Sequence, residues 1–147
     1  MSAQLDGHRY LFLTSLSEPA DNVLLLRLEE GRVPDTPEGA DGHMGRPILV
    51  DVHCAAYDVL FPTYAAYAVR NESYTTANDD EVFEGAGVRT YTRSRFLDFV
   101  HHGTFALGLA GDPYRHTSFV CVNHIVDIVS QAEPQVRQVR AASSAAK

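Results

Sequence analysis

The stretch from Arg115 to Gln131, RHTSFVCVNHIVDIVSQ, constrains this chain more than any other. Its Val, Ile, Thr and Phe side chains suit a pleated, packed surface, so it reads as β-strand. Yet His116, Asn123, His124 and Asp127 sit inside the same run. An unpaired ionisable group is costly in a strand buried on both faces. These side chains are therefore either paired for structural reasons or lining a site, and the fold must provide one or the other.

The rest of the sequence adds strands and little helix. GHRYLFLTSLS and DNVLLLRLEEG are short apolar runs punctuated by Asn22 and Gly31, the pattern of a β-hairpin. ILVDVHC (48–54) predicts a strand with Ile48, Val50, Val52 and Cys54 on one face and Leu49, Asp51 and His53 on the other. AAYDVLFP fits a helical turn or a continuing strand. TYAAYAVRNESYT (63–75) predicts one long strand, and VFEGAGVRTYT (82–92) one strand bent at Gly85 and Gly87. The best helix signal is SRFLDFVHHG (94–103), with Ser94 as N-cap, Phe96, Phe99 and Val100 as an apolar stripe, and Gly103 at the end. Residues 31–47 hold four Gly and three Pro without apolar period and predict a long loop. The polar stretch after Gln131 predicts a short terminal helix or a disordered tail.

Many strands, one helix and Gly/Pro-rich turns predict a mainly β (α+β) fold, an antiparallel β-barrel or half-barrel with one short helix near 94–103. A single β-rich domain over 1–131 and a polar tail over 132–147 account for the whole length, and no internal repeat is visible. The chain carries 19 acidic against 12 basic residues, a net charge of −7. That balance opposes non-specific binding to nucleic acid or to an anionic membrane. No apolar stretch approaches the roughly 20 residues of a membrane helix. Cys54 and Cys121 lie in apolar runs without a secretory leader at Met1, which predicts free buried thiols and a cytoplasmic setting.

Motif searches return mostly absences: no P-loop, G-x-S-x-G, H-E-x-x-H or paired C-x-x-C. His53, His116 and His124 could in principle share a metal. On one straight strand, however, His116 and His124 would stand about 26 Å apart. Neither a metal nor a cofactor is expected. His53 and Cys54 are neighbours and point to opposite faces, so they make no Cys–His dyad.

Acid–base chemistry fits better. Asp51 and His53 share a strand face, and Asp127 sits among Ile and Val residues where burial raises a carboxyl pKa and a nearby cation lowers it. The catalytic candidates are His53, His124 and Asp51. Arg70, Tyr64, Tyr67, His116 and Asp127 are candidates to line a pocket for a small anionic or carbonyl-containing molecule. Arg89, Tyr91 and Arg93 share another strand face and are expected to be solvated and ion-paired with Glu72, Glu81 and Glu84.

Two functional classes follow. The first is a small-molecule-binding protein, extending to a cofactor-independent isomerase, cyclase or lyase. The second is an acidic protein-interaction module of the inhibitor or immunity type, suggested by the net charge and by ANDDEVFEG (77–85). The expected partner is a small-molecule ligand, with self-association into a homodimer as the further expectation. The classes separate on one point. A ligand site requires at least three of Asp51, His53, Arg70, His116, His124 and Asp127 to face one cavity.

Overall fold

The computed structural model describes residues 2–8, 10–34, 47–108, 111 and 113–144. The first hairpin forms as expected. Strands β1 (Leu11–Ala20) and β2 (Val23–Glu30) are joined at Asp21-Asn22, and Asn22 takes the positive φ of 60° that a two-residue hairpin turn demands. Along β2 the alternation is strict: Leu24, Leu26 and Leu28 are fully buried, while Leu25, Arg27 and Glu29 point to the other face. Strand β3 (Ala56–Phe61) continues that pattern, setting Phe61, Val59 and Tyr57 opposite the three leucines.

The remaining strands build a second sheet. These are β4 (Ala66–Asn71), β5 (Val82–Glu84), β6 (Val88–Arg93), β7 (Arg115–Val120) and β8 (His124–Ser130), in the order β4-β8-β7-β6-β5. The first sheet is completed by β9 (Gln135–Arg140) and runs β1-β2-β3-β9. All pairings are antiparallel. Apolar residues of both sheets form one buried cluster, with Phe61 of β3 meeting Phe119 of β7 edge-on at 6.2 Å. The mainly β reading is therefore right, but the two sheets are open and do not close into a barrel.

The 115–131 stretch is a hairpin and not one strand. Its turn at 121–123 contains neither Gly nor Pro. Cys121 N donates to His124 O to close it, and the Asn123 amide bonds both Leu13 N (3.0 Å) and Leu13 O (2.9 Å). With Val122 N donating to Leu11 O, this turn ties the second sheet to β1 where the β1 register slips between Leu13 and Ser15. Asn123 is thus a structural polar residue, spent on a strand edge.

Four other expectations need correction. ILVDVHC makes only an isolated bridge, Arg32 to Leu49, because Asp51 turns the chain: its carboxylate accepts His53 N at 2.9 Å and its carbonyl accepts Cys54 N. The 63–75 strand stops at Asn71, whose side chain caps a 3-10 turn over Glu72–Tyr74. The 82–92 strand is a hairpin, since Gly85 adopts a φ of +94° between β5 and β6. The tail is neither helix nor disordered over 135–140: Val136 packs on the core and Arg137 bonds Asp58 of β3. Of the 31–47 loop, residues 35–46 lie outside the described residues.

Two α-helices among the described residues flank the sheets. Helix α1 (Ser2–Asp6) buries Leu5 and directs Asp6 Oδ1 at the backbone N–H groups of Ala86, Gly87 and Val88. Those donors lower the Asp6 pKa from its ordinary value, the Val88 bond most. Helix α2 (Arg95–Gly103) starts where expected, with Ser94 Oγ accepting Leu97 N at 3.0 Å. Only Val100 of its stripe is fully buried, and Phe99 stays 65% exposed. No helix among the described residues is long and apolar enough to cross a membrane.

Candidate functional site

The second sheet has an inner face on the shared core and an outer face under α2 and residues 75–81. Register alone decides which side chains meet outside. Ala68 lies opposite Asp127, Asp127 opposite Ser118, and Ser118 opposite Arg89. In the adjacent row Phe83, Tyr91 and His116 stand side by side. A cleft of about 380 Å³ opens on this face. Its floor is Ala68, His116 and Asp127, with Arg70, Tyr91 and Glu81 at the sides and Arg95, Phe96 and Phe99 along α2.

A continuous hydrogen-bond chain runs beneath it. Ser94 Oγ and His116 Nδ1 are 2.7 Å apart, His116 Nε2 and Asp127 Oδ1 are 2.9 Å apart, and Arg70 Nη2 reaches Asp127 Oδ2 at 3.1 Å. Asp127 accepts only, so Nε2 carries the proton and Nδ1 accepts from the Ser94 hydroxyl, whose oxygen in turn accepts Leu97 N–H. The direction is consistent from helix to β4. Burial pushes the Asp127 pKa up, but the His116 hydrogen bond, together with Arg70 and the Ser118 hydroxyl, more than offsets it and leaves the carboxyl below its ordinary value. Tyr91 stacks on the His116 ring at 4.3 Å and 13°, and Phe96 meets that ring edge-on at 5.4 Å.

Of the eight residues singled out in the sequence, three converge here: Arg70, His116 and Asp127. The other five are elsewhere. Asp51 is held by Arg32, whose hydrogen bond is the main cause of its carboxyl pKa falling to about 2. His53 Nδ1 faces Ser143 Oγ at 3.1 Å, beyond the edge of the first sheet. His124 begins β8 on the face opposite Asp127, with Nδ1 buried and unpartnered among the described residues. Tyr64 and Tyr67 pack edge to face at 5.0 Å against the core cluster, and Tyr64 donates to Glu18.

Sequence reasoning missed Tyr91, Ser94 and Glu81 as site residues and read Arg89 as part of an ion-paired surface. Among the described residues Arg89 pairs with no carboxylate; its guanidinium lies 4.3 Å over the Phe83 ring and Nε donates to Ala86 O. The alternation of Arg89 and Tyr91 was the available signal, but only the β6–β7 register reveals that it faces His116.

Ser94, His116 and Asp127 have the composition of a hydrolytic triad but not its accessibility. Ser94 is 1% exposed, does not line the cleft and is committed as an N-cap. No cluster of three or more His, Cys, Asp or Glu among the described residues is placed to hold a metal ion. No family model, curated protein or solved structure matches the chain.

Proposed function

We propose that this protein binds a small molecule in the cleft on the outer face of its second sheet. The observation that carries the reading is convergence: Arg70, His116 and Asp127 come from three different strands, and all three line one cavity. A volume near 380 Å³ is within the ordinary range for a small-molecule site, and mixed aromatic and charged walls are typical of one.

Binding is favoured over acid–base catalysis by the same geometry. Both ring nitrogens of His116 are engaged, so it presents no free proton acceptor to the cleft. His116 and Asp127 act as a rigid floor that orients Arg70 and Tyr91. The acidic 77–85 segment also supports a cleft over a docking patch. Asp80 pairs with Arg95, and Glu81 accepts from Asn78 Nδ2 and Arg95 N, so the segment is tied to α2 as a wall.

The test is amide chemical-shift mapping of the protein with a set of small aromatic fragments. Shifts confined to 68–70, 89–96, 116–118 and 127 support the reading. Shifts confined to the hollow beside Leu25, Leu60 and Arg137 on the first sheet would refute it.

A further inference from the structure

Beside the main cleft lies a second hollow of about 180 Å³, which shares Arg70, Glu81 and Tyr91 with it and adds Arg89 and Ser118. Two of its groups have unspent polar capacity. Ser118 Oγ is fully buried and has no well-formed hydrogen bond among the described residues, although the hydroxyl stands beside Asp127 and helps to hold that carboxyl's pKa down. A buried hydroxyl left in this state is unfavourable unless something completes it. Arg89 is a half-buried cation without a carboxylate partner among the described residues, steered by the Phe83 ring and by one backbone carbonyl. Arg70 also borders the hollow, with Nε and Nη2 turned to Asp127.

Resting on the cleft reading above, we infer that this hollow is the anion subsite of that cleft, and that the ligand is an aromatic or apolar monocarboxylate. Its head is received by Arg89 and the Ser118 hydroxyl at the edge of Arg70, and its body lies along Tyr91, Phe96 and Phe99 of the larger space. One unpaired guanidinium and one hydroxyl match a single carboxylate. Glu81 lines the same hollow with its oxygens turned to Asn78 and Arg95, so a second negative charge on the head is disfavoured. The Ser118 hydroxyl donates to the carboxylate, removing its own unsatisfied state on binding.

The experiment titrates benzoate and its neutral isostere benzamide into the full chain, read by amide shifts, in wild type, Arg89→Gln and Ser118→Ala. Benzoate is expected to saturate in the millimolar range and to shift Arg89, Tyr91 and Ser118, with benzamide at least about tenfold weaker. Arg89→Gln should weaken benzoate by about tenfold, and Ser118→Ala by several-fold. Should Arg89→Gln fail to fold, Ser118→Ala decides alone. Equal binding of benzamide and benzoate, or benzoate affinity unchanged in the variants, overturns the anion subsite while leaving the cleft reading standing. Shifts by neither probe at any cleft residue overturn both.

Discussion

Replacing Ser94 with Ala tests whether the hydrogen-bond chain under the cleft exists as described. Two interactions go at once. The N-cap bond to Leu97 N is lost, which costs about 1 kcal/mol. His116 Nδ1 also loses its donor in a fully buried site, and an orphaned buried acceptor costs about 1–3 kcal/mol. The sum, about 2–4 kcal/mol, is a large share of the stability of an ordinary domain. Urea denaturation of the wild type, Ser94→Ala, His116→Phe and the double variant separates the two parts. Phe keeps a ring against Tyr91 but has no acceptor, so in that background Ser94→Ala should cost only its cap, about 1 kcal/mol. The coupling between the two sites is the difference, about 1–3 kcal/mol. An Ser94→Ala cost near 1 kcal/mol that is the same in both backgrounds would show that the Ser94–His116 bond contributes nothing and that the chain is not a unit.

Acid sensitivity follows from the carboxylates. Asp51, Asp58 and Asp127 all have folded pKa values below their ordinary 3.8, with Asp51 at about 2. The unfolded chain takes up these protons first, so stability should hold above roughly pH 4 and fall steadily from there toward pH 2. Urea midpoints at several pH values check this, and a flat profile below pH 4 would contradict it. Gly85→Ala should destabilise by at least about 1 kcal/mol, because φ is +94° and the new Cβ would sit 2.0 Å from Val88 O. Gly103→Ala, with nothing within 4 Å of its Cβ, should be neutral or stabilising in the same denaturation assay. Cys121, its thiol pushed up to about 12 by burial, and the equally buried Cys54 should react with a thiol reagent only after unfolding. Reaction of either at full rate in the native protein would place it at the surface.

What could be read from the sequence was local. The α2 start at Ser94 needs only a cap and a short apolar stripe, and the β1–β2 hairpin only two runs and a turn at Asp21-Asn22. Elements whose identity depends on distant partners were misread. The β7–β8 turn carries no Gly or Pro, because its geometry is set by Asn123 gripping β1, 110 residues away. Strand β9 is polar along most of its length and becomes a strand only by pairing with β3. Asp51 and His53 had the alternation of a strand site, but a side-chain-to-backbone turn at Asp51 removed the strand itself. The site followed the same division. His116 and Asp127 were visible as polar residues in an apolar run, and Arg70 as a cation in a strand. That Tyr91 stacks on His116 and that Ser94 completes it depend on sheet register and on where α2 docks, neither of which is local.

Ala68 offers the most direct test of the cleft as a ligand site, since it lines the floor without joining the hydrogen-bond chain. Ala68→Phe fills the space and leaves Arg70, His116, Asp127 and Ser94 in place. Amide shifts induced by small aromatic fragments would be recorded for the wild type and for this variant. The expected result is a cluster of shifts over the outer face of the second sheet that disappears in Ala68→Phe while the fold is retained. Fragment binding that persists unchanged in the folded variant would contradict the assignment of this cleft.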